Sequence, residues 1–169
     1  VAPAKFFGVG VGFGAGLAPD AFSVRALTQA GLPCIVANSF SKNFSFYGER
    51  CGGLSVVCDS QDEATRVLGQ LMGTVRANYS NPPSHGARVI AQVLNDPELA
   101  RQWTAELDGM RQRIQAMRQA IHAELAGKLD GAARERYVQQ RGMFTYTGLS
   151  AAQADQLREL FRREIREGF

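Results

Sequence analysis

No apolar run in the sequence approaches the roughly 20 residues that a membrane-crossing helix needs, so no membrane span is expected. The opening Val1-Ala-Pro-Ala-Lys5 has no basic stretch followed by an apolar one, which argues against a secretory leader. It also lacks an initiator Met, which reads as a chain cut from something longer. Cysteine is sparse. Cys34, Cys51 and Cys58 are odd in number and have no Cys-x-x-Cys spacing, so neither a disulfide framework nor a zinc site is expected. They read instead as reduced core thiols of a cytoplasmic protein. His85 and His122 stand apart with no acid or cysteine cluster beside them, so no metal is expected. Lysine is rarest of all among the charged residues: Lys5, Lys42 and Lys128 among 19 basic residues, against 16 acids and a net charge of +3. The basic residues are spread along helices among Glu and Asp, and the clustered patch that nucleic-acid binding requires is missing.

What is present is the composition of an ordinary globular chain, 45% hydrophobic and 21% charged over 169 residues, enough for one domain or a piece of a larger protein. Glycines alternate with apolar residues over 6–16, suggesting a strand that runs into a loop. Pro19 to Ala30 reads as a helix stopped by Gly31 and Pro33. Cys34–Ala37 and Leu54–Cys58 are short apolar runs of strand type. Asp59-Ser60 can cap a helix over 61–77, with Val67, Leu68, Leu71 and Val75 on one face. Asn78–Pro83 breaks it, and a helix over about 84–94 follows. Trp103, Leu107, Met110, Ile114, Met117, Ile121 and Leu125 make one apolar stripe on a helix of some 30 residues, ended by Gly127 and Gly131. Met143–Thr147 alternates like a strand, and Ser150-Ala-Ala-Gln153 fits a capping box opening a last helix. Alternating strands and helices in the first 95 residues imply an α/β class with a parallel, helix-covered sheet.

The informative stretch is Asn38-Ser-Phe-Ser-Lys-Asn-Phe-Ser-Phe-Tyr-Gly-Glu-Arg-Cys-Gly-Gly53. Lys42 lies in a loop between two apolar strands, beside Phe40, Phe44 and Phe46. Partial desolvation there favours the neutral amine that attack on an aldehyde requires. Ser39, Ser41 and Arg50 add hydroxyls and a planar guanidinium, a sound set for gripping phosphate. A phosphate-bearing aldehyde cofactor would join the two features. From spacing alone, a solvated surface lysine in a Ser-rich loop accounts for the segment as well.

Four blocks add a resemblance. The stretch 38–50 resembles the cofactor-lysine signature of the class I aspartate/aromatic-amino-acid aminotransferases, which depend on pyridoxal 5'-phosphate (PLP). Asn78-Tyr-Ser-Asn-Pro-Pro-Ser-His-Gly86 following Arg76, Gln140-Arg-Gly-Met-Phe-Thr-Tyr-Thr-Gly-Leu149, and Gly12-Phe-Gly-Ala-Gly-Leu17 resemble three further blocks, in order and at similar spacing. The run Gly48–Val56 looks nearer the aromatic branch. The resemblance implies a fragment of the type I PLP-dependent transferase fold: a mainly parallel sheet with helices, a long connecting helix and part of a small C-terminal domain. Residues 1–109 would be the later part of the large PLP-binding domain, and 110–169 the truncated beginning of the small one. It implies amino transfer between an aromatic or acidic L-amino acid and a 2-oxo acid, in a cytoplasmic homodimer. Lys42 would bond the cofactor and move the substrate's α-proton. Ser39, Ser41 and Arg50 would hold the phosphate. Arg76 would reach a dicarboxylic substrate in the partner's site, with Ser80 and Asn81 in the same bridging loop, and Phe144 would lie near the substrate.

The departures are as informative. The family carries an Asp, which pairs with the ring nitrogen, and a Tyr just before the Gly12 block. Here Phe6-Phe-Gly-Val-Gly-Val-Gly-Phe-Gly14 has neither and is one residue shorter. Arg162–Phe169 replaces an apolar strand. The chain therefore reads as a partial copy with impaired activity alone, its ends altered by truncation or frameshift, with both open. The other reading is a non-catalytic remnant that at most binds PLP or associates with itself. Two lesser motifs fail on context. Gly10-x-Gly12-x-x-Ala15 lacks the acid a dinucleotide fingerprint needs, since 21–48 contains none. Ser39-x-x-Lys42 lacks the Ser-Asp-Asn and Lys-Thr-Gly partners of penicillin-recognising enzymes.

Overall fold

The computed structural model describes residues 5–9 and 12–168, with side chains over 12–163. Two compact units emerge, residues 1–116 with 141–143 and residues 117–140 with 144–169.

The first unit holds a three-stranded sheet in the order β1-β2-β3, formed by β1 (Lys5–Val9), β2 (Cys34–Ser39) and β3 (Gly52–Val56). β1 and β2 are parallel, with Phe7 opposite Val36. Between them run α1 (Leu17–Asp20) and α2 (Phe22–Gln29), so the helix expected over 19–30 is broken at Ala21. Gly31 ends α2 at φ 64°, its N–H and that of Leu32 bonding back to Thr28 and Leu27, the expected stop. The α/β class holds, but β3 pairs antiparallel to β2, with Ala37 opposite Leu54 and Ser39 opposite Gly52. The reason is the connection: residues 40–51 contain no crossover helix and return the chain straight to the neighbouring edge, which only an antiparallel pair allows.

α3 (Gln61–Asn78) starts where expected. Ser60 Oγ accepts from Glu63 N at 3.2 Å, and Glu63 Oε2 accepts from Asp59 N at 2.8 Å, satisfying donors that the first helical turn leaves open. Val67, Leu71 and Val75 are half-buried, whereas Leu68 on the same stripe is exposed. α4 (His85–Asn95) and α5 (Pro97–Glu124) follow. Among the side chains described in this unit, Phe13, Cys34, Val36, Ile90 and Leu107 are buried hydrophobic residues.

The glycine-rich turn before α1 is organised by one carboxylate. Asp20 accepts from the backbone N–H of Gly12 (2.8 Å), Gly14 (2.9 Å) and Ala15 (2.8 Å). Gly12 has φ 106°, and a Cβ there would lie 2.5 Å from Leu107 Cδ2, so this position admits no side chain. α5 closes the turn from below through Leu107 and through Gln115, whose Nε2 donates to Gly14 O at 3.1 Å.

In the second unit, α6 (Gly131–Gln139) was not expected from sequence. Asp130 caps it, accepting from Ala133 N at 2.9 Å, and Glu135 on it meets His122 Nε2 at 3.0 Å. The strand expected over 143–147 is absent. Its backbone is satisfied by side chains instead of a neighbouring strand. Gln140 accepts from Tyr146 N and donates to Tyr146 O at 2.9 Å, and the buried Arg118 donates to Phe144 O at 3.0 Å and to Gln140 O. α7 (Ala151–Gly168) opens with the expected capping box, Ser150 Oγ accepting from Gln153 N and Gln153 Oε1 from Ser150 N.

Burial pushes the Asp20 carboxyl up, but the backbone N–H groups of Ala15, Gly14, Gly12 and Gly16 together outweigh this and hold it below the usual carboxylate range. A depressed folded value gives stability that is fully present above the unfolded value, about 3.9, and is lost as pH falls through the folded one. Asp20→Asn is therefore expected to melt below wild type at neutral pH. The gap between the two melting temperatures should close as the pH drops below about 4, read by circular dichroism at a series of pH values. A gap that stays constant down that series would remove Asp20 as the organiser of the turn.

Candidate active site

The segment 40–51 is a loop with two fixed feet. Ser39 and Gly52 face each other at the end of the β2–β3 ladder, and Phe40 N donates to Cys51 O at 3.1 Å just beyond. Within the loop, Phe44 N bonds to Phe40 O and Ser45 N to Lys42 O, both at 3.2 Å, so the chain makes one tight turn around Lys42. Phe40 packs edge-on to Phe44 at 5.6 Å, and Phe44 leans on Phe46 at 6.3 Å. The aromatic residues around the lysine thus turn against one another, which sequence proximity alone did not establish.

Lys42 is half-buried, and its Nζ lies 4.6 Å from the centre of the Tyr47 ring. Arg50 reaches the backbone of the same residue, Nη1 donating to Tyr47 O at 2.9 Å, which leaves the rest of its fork of donors for other acceptors. Ser39 Oγ accepts from Ser41 N at 3.3 Å, tying the two serines together on the approach to Lys42. Ser41 is buried, whereas Ser39 and Arg50 are exposed. Of the four residues expected to grip a phosphate-bearing aldehyde, Ser41, Lys42 and Arg50 therefore share this loop and Ser39 ends the strand that enters it, with the amine and the guanidinium both meeting Tyr47.

A second group forms at the C-terminal end of α3. Arg76 Nη1 donates to Ser80 Oγ at 2.5 Å, and Asn81 N donates to Tyr79 O at 2.9 Å. All three residues, Arg76, Ser80 and Asn81, are exposed. Phe144 belongs to the second unit, where the residue is 76% exposed while its carbonyl is held by Arg118. Gly86, at the start of α4, is buried, and a Cβ there would sit 3.4 Å from Cys51 Cβ and 3.5 Å from Glu49 Cβ, so α4 backs the end of the lysine loop.

Among the described residues, the non-glycine residues with positive φ are Ser45 (55°), Arg50 (51°) and Ser80 (68°). All three lie in these two groups. Each costs on the order of 1–3 kcal/mol and persists only where the surroundings fix it, a pattern that gathers at functional sites. The contact that sequence reasoning missed is Trp103. In the sequence it is one member of the α5 stripe, yet its Nε1 donates to Asn43 O at 2.8 Å and its ring stacks on Phe44 at 4.8 Å. A lone tryptophan on an apolar stripe carries no signal of a partner 60 positions away. No group of three or more His, Cys, Asp or Glu that could hold a metal ion occurs among the described residues, and no helix among them is long and apolar enough to cross a membrane.

A profile of the family described as aminotransferase class I and II matches residues 10–167. The chain is 57% identical over 150 residues to a tyrosine aminotransferase of Klebsiella pneumoniae, covering 89% of this chain and 38% of that protein. It is 51% identical over 152 residues to an aspartate aminotransferase of Pseudomonas aeruginosa, again over 89% and 38%. Among solved structures, it resembles an aromatic-amino-acid aminotransferase from Burkholderia pseudomallei covalently bound to pyridoxal phosphate. That match has 48% identity and a TM-score of 0.85, covering 91% of this chain and 39% of that one. The chain thus spans little more than a third of the length of the relatives it matches.

Gly52 has the narrowest tolerance at the foot of the loop, because a Cβ there would fall 2.6 Å from Asn38 O, a backbone atom that cannot swing away. Gly52→Ala is expected to lower stability by about 1–3 kcal/mol, as overpacking does, and to weaken the β2–β3 ladder first at Ser39. Denaturant titration with amide exchange would read both, and an unchanged midpoint would mean that the strands do not approach this closely.

Proposed function

Because the chain belongs to the class I and II aminotransferases, we propose that it forms the lysine-bearing part of a PLP-dependent transaminase acting between an aromatic or acidic L-amino acid and a 2-oxo acid. The observation that carries this reading is the loop 40–51, with a half-buried amine and a guanidinium about Tyr47 and two linked serines at its entry. This donor set fits a phosphate-bearing aldehyde: the amine bonds the aldehyde, while the guanidinium and hydroxyls suit a dianionic phosphate. The names of the relatives, one acting on tyrosine and one on aspartate, support a substrate range that spans both side chains.

In this reading PLP supplies the aldehyde and an electron-withdrawing ring. Lys42 Nζ would be the point of attachment and the group that carries the proton from the substrate's α-carbon. Arg50, Ser39 and Ser41 hold the phosphate. Arg76 binds the side-chain carboxylate of a dicarboxylic substrate across a homodimer, with Ser80 and Asn81 in the bridging loop. The exposure of all three is in keeping with contact to a second copy. Phe144 lines the substrate side. The assignment of 1–109 to a large domain and 110–169 to the start of a small one, and a cytoplasmic setting, belong to the same reading.

We also propose that turnover is reduced. The segment Phe6–Gly14 contains no carboxylate, so nothing in it can pair with the ring nitrogen as the family's aspartate does. Removing one preorganised electrostatic partner costs about 100- to 1,000-fold in rate. A non-catalytic chain that keeps only PLP affinity is the limit of the same departure.

Borohydride reduction in the presence of PLP, followed by peptide mapping, is expected to label Lys42, and Lys42→Ala should abolish the label. Steady-state transamination should fall about 100-fold or more below that of an aspartate-bearing relative assayed alongside. A label that survives Lys42→Ala would overturn the attachment site. Turnover equal to the relative's would overturn the impairment.

A further inference from the structure

We propose that Trp103 is a positioning residue for Lys42, clamping the lysine loop onto α5 so that the amine is held ready before any cofactor arrives. The inference rests on the assignment of Lys42 as the PLP lysine and adds to it a residue 61 positions away in sequence. Its basis is two contacts of different kind on the residues that follow Lys42. The indole N–H donates to Asn43 O at 2.8 Å, and the indole face stacks on Phe44 at 4.8 Å with planes 21° apart.

The loop needs such a tie. Asn43 Oδ1 is buried and has no hydrogen-bond partner, which works against keeping this segment folded down. Ser45, two residues on, sits at φ 55°, a further local cost. The backbone turn itself contributes only the Phe44–Phe40 and Ser45–Lys42 bonds, each at 3.2 Å. The indole both packs and donates, and α5 is anchored independently one turn further on by Leu107, among the most deeply buried of the described side chains. The clamp therefore joins the Lys42 turn to a fixed helix rather than to another loop.

Two substitutions separate the contacts. Trp103→Phe keeps an aromatic face and loses the donor, and Trp103→Leu loses both. The test is hydrogen exchange at the Phe44 and Ser45 amides of the full-length protein without PLP, with the Val36 amide in β2 as internal reference. It is paired with PLP titration read by the absorbance of the lysine-bound cofactor and by borohydride labelling of Lys42. Exchange at Phe44 and Ser45 relative to Val36 is expected to rise about fivefold in Trp103→Phe, the worth of one net hydrogen bond, and further in Trp103→Leu. The apparent Kd for PLP should weaken in the same order, and the pH dependence of the absorbance band should shift. If exchange at these amides stays at the wild-type ratio in both variants, the clamp does not exist. If exchange rises while Kd and the band's pH dependence are unchanged, Trp103 is structural only and the positioning role is lost. If wild type itself gives no Lys42 label, the cofactor reading fails instead, whatever Trp103 does to the loop.

Discussion

A loop can present an amine to a ligand only when its feet are fixed and its middle is tied down. In this chain the feet are fixed by strand register. Ser39 opposite Gly52, with the Phe40–Cys51 hydrogen bond beyond, sets where the chain leaves and re-enters the sheet. Because side chains alternate along a strand, a slip of one residue would turn Ser39 to the other face and carry Lys42 with it. Gly52 guards that register, since the strands approach too closely for any side chain at its position. The antiparallel turn-back of β3 follows from the same connection: the 40–51 loop joins two neighbouring edges directly with no helix between them.

The middle is tied to α5, and so is the glycine-rich turn. Trp103 and Leu107 are four residues apart and share one face of that helix. Trp103 meets Asn43 and Phe44 in the lysine loop, and Leu107 fills the space beside Gly12 that a side chain would otherwise occupy. Two further turns along, Gln115 reaches Gly14 O. One helix face thus floors two loops that are far apart in sequence, and Asp20 locks the second of them by accepting three backbone N–H groups at once. A carboxylate in that role holds its charge more readily than a free one, which is how a turn rich in glycine becomes defined despite its freedom in the unfolded chain.

Much of this was legible in the sequence, and the legible part is local. Ser60 caps α3 and the Ser150–Gln153 box opens α7, as expected, because such caps are written within a few residues. Cys34–Ala37 reads as a buried strand because its apolar run is continuous, and Cys34 and Val36 are buried, whereas Ile35 is half-buried and Ala37 exposed. The order of the four blocks pointed to the family that the profile match bears out. What was not legible depends on partners distant in sequence. The direction of β3 depends on what the 40–51 loop does in space. The alternation of Met143–Thr147 suggested a strand, yet Gln140 and Arg118 take up the backbone groups that a neighbouring strand would have paired. α6 was missed because its opening Gly131 reads as a stop and its polar residues give no apolar stripe. Trp103 has the pattern of a core residue, and its polar edge is spent on a loop 60 positions away, which no local pattern encodes.

The strained residues extend this argument to the side chains. A residue other than glycine at positive φ gives up stability that glycine would recover. At Arg50 and Ser80 that recovery would remove the group that bonds to Tyr47 O and the group that accepts from Arg76. The backbone conformation and the side-chain function therefore oppose each other at the same two positions, and the chain keeps the side chain. Such a compromise is intelligible where the side chain must stand at a fixed point beside an amine or at the end of an exposed helix. It has no evident return on a surface whose only task is to be wet. The positive φ at Arg50 and Ser80 thus marks two segments where the surroundings, rather than local preference, fix the backbone.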